Sequence, residues 1–281
     1  MMENSQTELA VSVSPVDLIS ASPMMNYVAL GIGFDIQLIS QNMSQFLSKH
    51  KFKISMLQWS SDERYLASVS FGGEYIIWHV ATEKILQFRA DISRIIQVYF
   101  EPDTKLMYEL DRKGNFDIRN SSSNKSLFSV KGSSWGDERL VEFAYERKYT
   151  ILALAHRNGN IKLYRRLTLV DEIFGHNPMR NVLFNEEGTY LCCVCRGNEL
   201  LFYETETGRR NYIDTSPGMQ QALFIDNNSM LGLSLSSEGF VIEVFDLPAN
   251  KKKHSEKLKI PAKLVMLCPD LRHLVYSTAD S

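Results

Sequence analysis

KISMLQWSSDERYLASVSFGGEYIIWHVATEKILQF, residues 53–88, divides into four short apolar segments separated by polar turns. Residues 54–59 read as a first strand, SSDER as a turn, 65–70 as a second strand, FGGE as a turn, 75–80 as a third strand, ATEK as a hairpin turn and 85–88 as a fourth. Short runs rich in Val, Ile, Tyr and Trp, bounded by clusters of Ser, Asp and Gly, are strand signals, and no helical period runs through them. One antiparallel sheet of four strands is the unit from which the rest of the chain is read.

That unit recurs. The bulky residue closing the first strand reappears at Trp59, Phe100, Phe143, Phe184 and Phe224, in steps of 41, 43, 41 and 40 residues. A second marker closes the third strand at Ile39, Trp78, Arg119, Tyr164, Tyr203 and Phe245, in steps of 39, 41, 45, 39 and 42. The turn after the first strand recurs too, as SSDER, EPDTK, YERK, NEEG, DNNS and CPDLR. Alternation such as Phe34, Ile36 and Leu38, with Asp35 and Gln37 between them, predicts strand rather than helix.

A repeat of this length resembles that of the WD40 family, which carries a Gly-His near its start and a Trp-Asp at the end of its third strand. Gly175-His176 matches the first dipeptide, and Trp78-His79 and Phe245-Asp246 each match half of the second. Tyr164-Arg165 and Tyr203-Glu204 keep the aromatic residue and lose the aspartate, so in those blades its polar network is expected to be replaced or absent. The resemblance implies an all-β propeller. The same architecture follows from packing, because a four-stranded sheet with two apolar faces buries both only by stacking radially against its neighbours.

Six complete repeats are expected, at residues 16–47, 53–88, 92–130, 139–174, 177–213 and 218–260. A seventh begins with 262–267 and 274–277 and stops at STADS. The reading is thus an N-terminal segment, 1–15, followed by a propeller over 16–281 whose last blade is incomplete. Residues 7–13 alternate as an outer strand that would close that blade, and the natural chain is expected to continue past Ser281.

Composition narrows the function classes. With 44% hydrophobic and 23% charged residues, the chain is of an ordinary soluble globular type. A net charge of −2 gives no overall basic excess for sequence-independent phosphate binding, so nucleic acid is not the expected partner. MMENSQTELAVSVSP lacks the basic and apolar regions of a secretory signal, and no apolar stretch is long enough to span a bilayer. A cytoplasmic or nuclear protein is expected, with Cys192, Cys193 and Cys195 as reduced thiols within one strand.

No pattern for a cofactor or a catalytic group stands up. Gly31-Ile32-Gly33 precedes a strand rather than a helix and reads as a tight turn, and the chain contains no P-loop and no G-x-S-x-G. The three clustered cysteines and distant Cys268 lack the paired spacing of zinc ligands, and His156 and His176 fit turn or polar-network positions. No cofactor and no metal is expected.

Three features are candidate partner-binding elements. Trp135 lies in KGSSWGDE, the longest insertion between repeats, where an exposed tryptophan is a natural contact. Lys251, Lys252 and Lys253 form the densest basic run and are read as a solvated loop between the third and fourth strands of the sixth repeat. Arg165-Arg166 resembles the paired arginines of phosphoinositide-binding propellers, with Leu167 where a glycine belongs.

Fold alone does not name a function. The WD40 resemblance implies a non-enzymatic scaffold or adaptor that holds proteins or peptides within a multiprotein assembly, as degenerate propellers do in cytoskeletal, centrosomal, ciliary and RNA-processing complexes. The alternatives are a lipid- or nucleic-acid-binding propeller, an enzyme using the central channel, and a ubiquitin-ligase substrate receptor. The last usually carries Asp-Trp-Asp with a following arginine; residues 75–86 have Trp78 without either.

Overall fold

A computed structural model describes residues 16–41, 43–90, 95–101, 103–121, 123, 125–132, 139–175, 177–236, 239–259, 264–267 and 274–277. Six four-stranded antiparallel sheets follow one another, each a simple meander, and Leu264–Leu267 pairs with Leu274–Ser277 as a two-stranded seventh. Blades 1 to 6 occupy residues 18–48, 54–90, 95–130, 140–173, 179–214 and 219–258, within three residues of the boundaries read from the sequence. The inner strand of each blade adjoins the next blade in order. Leu264–Leu267 adjoins both blade 6 and blade 1, which closes the ring.

The stacking explains the sequence pattern. Tyr75 and Ile77 enter the core shared by blades 2 and 3, while Ile76 and Trp78 enter the core shared by blades 1 and 2. Cys193 and Cys195 likewise face blade 4, and Cys192 and Val194 face blade 6. A third strand buried on both faces reads as a continuous apolar run, hence YIIW, whereas outer strands such as Met43–Ser48 are mostly exposed and of mixed polarity. The three cysteines therefore pack as small apolar side chains; burial pushes the Cys195 thiol up to about 11 and holds the other two well above the usual thiol range.

The repeat markers settle into register with one exception. Ile39, Trp78, Arg119, Tyr164, Tyr203 and Phe245 pair with Val28, Leu66, Met107, Leu152, Leu191 and Met230, the equivalent residue of each second strand. Trp59, Phe100, Phe184 and Phe224 pair with that same set of positions, but in blade 4 the equivalent residue is Tyr145, and Phe143 lies two residues earlier. Both aromatics point to one side of the strand, because residues two apart share a face. Phe34, read as the start of an alternating strand, instead sits in the turn after Gly33 and is exposed; the strand begins at Asp35.

Equivalent turns use equivalent chemistry. Ser22 Oγ, Ser60 Oγ and Asn185 Oδ1 accept the backbone amides of Tyr27, Tyr65 and Tyr190, so a polar side chain closes the first turn in blades 1, 2 and 5. Glu63 holds a left-handed conformation in its turn, with φ of 57°. Its carboxylate compensates by accepting the Met24 amide and the Asn26 side chain of blade 1.

Side chains also stitch neighbouring blades. Trp59 Nε1 donates to the Ser20 carbonyl at 3.1 Å, and its ring stacks on Tyr27 at 5.8 Å. Gln97 of blade 3 grips the inner strand of blade 4, accepting the Phe143 amide and donating to the Phe143 carbonyl, both at 2.8 Å. Beside it, Glu142 accepts from Gln97 at 3.3 Å, and burial pushes its carboxyl up to about 8.

Within blade 2 a buried polar chain joins the connection before the blade to its third strand. Trp78 Nε1 donates to Ser68 Oγ at 2.8 Å, His50 Nε2 lies 2.7 Å from the same hydroxyl, and His50 Nδ1 lies 3.4 Å from Glu74. With the carboxylate accepting from Nδ1–H, Nε2 accepts the Ser68 proton, which is the neutral tautomer. Burial lowers the imidazole pKa below 6.5 despite Glu74. The unfolded chain therefore binds the proton first, and the contribution of His50 to stability is full above pH 6.5 and lost as pH falls below it. Thermal melts should show a Tm that drops from pH 7.5 to 5.5 more steeply in the natural chain than in His50→Gln; parallel curves would remove His50 from the account.

Candidate protein-binding face

The meander sorts every loop onto one of two faces. Turns between second and third strands, together with the connections between blades, form the upper face. Turns between first and second strands, and between third and fourth, form the lower one. The upper loops expose Lys49, Lys51 and Lys53 before blade 2, Arg112 and Lys113 in blade 3, and Arg157 and Arg196 in blades 4 and 5. Lys131 and Lys259 project from connections between blades. Among the described residues, the upper loops carry one acid, Asp17, which precedes blade 1 and pairs with Lys53 at 2.7 Å.

Three carboxylates that border this face are turned inward and used, while Asp214, at the upper end of the outer strand of blade 5, is exposed. Glu74 accepts the Lys51 amide at 2.7 Å and approaches His50; Asp111 accepts the amides of Lys113 and Asn115, each at 2.8 Å. Glu199 accepts the Asn177 side chain at 2.9 Å, occupying in blade 5 the place that Glu74 has in blade 2. The lower face is mixed: Asp103 sits between Arg64 and Arg147 at 3.9 and 2.9 Å, and Glu83, Glu186, Glu187, Glu206 and Asp226 are exposed alongside Lys105, Lys148 and Arg166. A shallow depression of about 630 Å³ there is lined by Glu146, Arg147, Lys148, Glu186, Glu187 and Asn227, a polar surface with charges of both signs.

Three exposed phenylalanines lie at the basic edge of the upper face. Phe34, Phe52 and Phe71 are 55%, 52% and 51% exposed. They converge on one stretch of backbone: the Lys53 carbonyl accepts the Phe71 amide, and the Ile54 amide donates to the carbonyl of Gly33, next to Phe34, both at 2.8 Å. The Phe52 ring lies directly on Gly72, where any Cβ would come within 2.0 Å of it, so a glycine is required there for the ring to seat.

Of the residues singled out from sequence, those that are described fall elsewhere and are not brought together. Trp135 and His176 lie outside the described residues, as do Cys268 and residues 7–13. Lys251, Lys252 and Lys253 are not a hairpin loop; they begin the outer strand Lys251–Leu258 of blade 6, whose exposed charges keep that sheet edge from pairing with other chains. Lys252 is bonded to Glu243, a carboxylate with no exposed surface, and Lys253 pairs with Asp246 at 2.9 Å. Arg165 ends a third strand in blade 4, and Arg166 and Leu167 form the following lower-face turn with φ of 48° and 64°. Residues 49–53, KHKFK, did carry a signal for the upper face: phenylalanine in an inter-blade connection among alternating lysines.

No protein-family model matches this chain, and no curated protein matches it. Among the described residues no helix is long and apolar enough to cross a membrane.

Proposed function

We propose that the chain is a non-enzymatic scaffold, a WD40-type propeller that takes protein partners on its upper face. The observation that carries the reading is the imbalance of charge: the described loops of one face present many cations against one acid, Asp17, which Lys53 engages, next to three half-exposed phenyl rings, while the other face is mixed. Aromatic side chains exposed together are costly in water and are the residues from which interface hot spots are built. The chain from His50 through Ser68 to Trp78 supports the family resemblance, because it links the start of the repeat to the end of its third strand, where the WD40 repeat has its Gly-His and Trp-Asp.

The test compares the faces. Phe34→Ala with Phe71→Ala, and separately Lys51→Glu with Lys113→Glu, should reduce co-purifying proteins about tenfold or more from the native cell. Lys105→Glu with Lys148→Glu, on the lower face, should leave them in place. Equal loss from both faces, or loss from the lower face alone, would reject the assignment. The same cations favour a second reading, binding of nucleic acid or an anionic lipid surface; this predicts dependence on the lysines without dependence on the phenyl rings.

A further inference from the structure

The connection between blades 1 and 2 has a division of labour written in its alternation. In Lys49-His50-Lys51-Phe52-Lys53 the lysines point to solvent, His50 turns inward to Ser68 and Glu74, and Phe52 lies flat on Gly72. The Lys53 ammonium is matched by Asp17 at 2.7 Å, whereas Lys49 and Lys51 have no carboxylate partner among the described residues. Backbone hydrogen bonds hold Phe34 and Phe71 on either side of this segment. The result is an exposed apolar patch in which three phenylalanines share one stretch of hydrogen-bonded backbone and the Phe52 ring is seated on Gly72, with cations beside it.

We propose that this patch binds an acidic peptide segment of a partner protein, carboxylates meeting Lys49 and Lys51 and one or two apolar side chains resting on Phe34, Phe52 and Phe71. The inference rests on the upper-face reading and adds the chemistry of the occupant. Charge complementarity supplies the argument. Lys49 and Lys51 flank Phe52 closely along the chain, inside a Debye length of about 8–10 Å, and Asp17 is engaged by Lys53, so a carboxylate-rich segment is attracted and oriented before contact. A basic or neutral segment gains only the apolar part.

Two features favour a peptide over other anions. The unmatched charge at the rings is small, two lysines with Asp17 and Asp35 nearby, which gives few contacts to a phosphate backbone. The Phe52 ring is seated on backbone and presents a face, whereas insertion into a lipid surface uses apolar groups that reach past the headgroups.

The experiment is a fluorescence-anisotropy titration of the full chain with four probes: a short labelled peptide alternating glutamate with leucine and phenylalanine, the same peptide with glutamine for glutamate, a single-stranded oligonucleotide of mixed sequence, and phosphatidylserine vesicles. The glutamate peptide should bind about tenfold or more tightly than each of the others and lose about tenfold in affinity between low and high salt. Phe52→Ala should weaken it by a similar factor. So should Lys49→Glu with Lys51→Glu, exposed positions at which folding is not at stake. Equal binding of the glutamine peptide, tighter binding of the oligonucleotide or the vesicles, or full affinity in both variants would overturn the proposal. Native partners that cross-link to the upper face through neutral or basic segments would overturn it while leaving the docking face intact; absence of any partner on that face would overturn the docking reading itself.

Discussion

Trp59→Ala is expected to lower the unfolding free energy by about 3–5 kcal/mol, the range for emptying a large aromatic site in a core. Trp59 is nearly fully buried between blades 1 and 2, in a cluster with Ile36, Leu38, Leu66 and Trp78. Truncation removes that contact area, the stack on Tyr27 and the hydrogen bond to the Ser20 carbonyl together. For a chain of this size, each kcal/mol corresponds to roughly 2–4 °C in Tm. Trp59→Phe keeps most of the volume and should lose only about 1–2 kcal/mol, largely the unmade hydrogen bond. A loss under about 1 kcal/mol in the alanine variant would mean that the seam between these blades is not packed as described.

Lys252→Met should cost about 2–4 kcal/mol near neutral pH, because it leaves the Glu243 carboxylate buried without a cation. Glu243 has no exposed surface and accepts bonds from the Ser216 amide at 2.8 Å and the Ser216 hydroxyl at 2.9 Å as well as from Lys252. Glu243→Gln combined with Lys252→Met should restore most of the lost stability, because the buried side chain then carries no charge. Urea unfolding of both variants at neutral pH separates these outcomes. A Lys252→Met variant with unchanged stability and weakened partner binding would reinstate Lys252 as a contact residue.

The blades were legible in the sequence because burial on both faces leaves a mark that spacing can find. The second and third strands of blade 2, YLASVS and EYIIWH, are almost entirely buried, so each repeat carries two apolar runs at near-constant separation. Phe143 and Tyr145 show the limit: both are aromatic and share a face, and only the pairing of Tyr145 with Leu152 decides which one matches Trp59. The polar chain of blade 2 leaves no dipeptide signature, because Lys49 stands where a glycine would precede His50, His79 follows Trp78 in place of an aspartate, and the carboxylate comes from Glu74 at the start of the strand.

The binding face was less legible, for a physical reason. Lys251–Lys253 is the densest basic run, but density along the chain says nothing of pairing, and the fold brings Glu243 and Asp246 against two of its three members. The upper-face cations are scattered from Lys49 to Lys259 and become a surface only when the ring gathers their loops. Phe34 and Phe71 occupy turns whose exposure depends on how Gly33, with φ of 59°, and Gly72-Gly73 direct the chain. Composition shows neither.

Photo-cross-linking from single positions tests the docking face most directly. A photoreactive residue placed at Lys51 or Lys113 on the upper face, and at Lys105 or Lys148 on the lower, would be activated in the native cell and the adducts identified by mass spectrometry. The account predicts discrete polypeptide adducts from Lys51 and Lys113, diminished when Phe34 and Phe71 are replaced by alanine, and few from Lys105 and Lys148. Adducts arising equally or chiefly from the lower positions, or upper-face adducts made of nucleic acid or lipid alone, would contradict it.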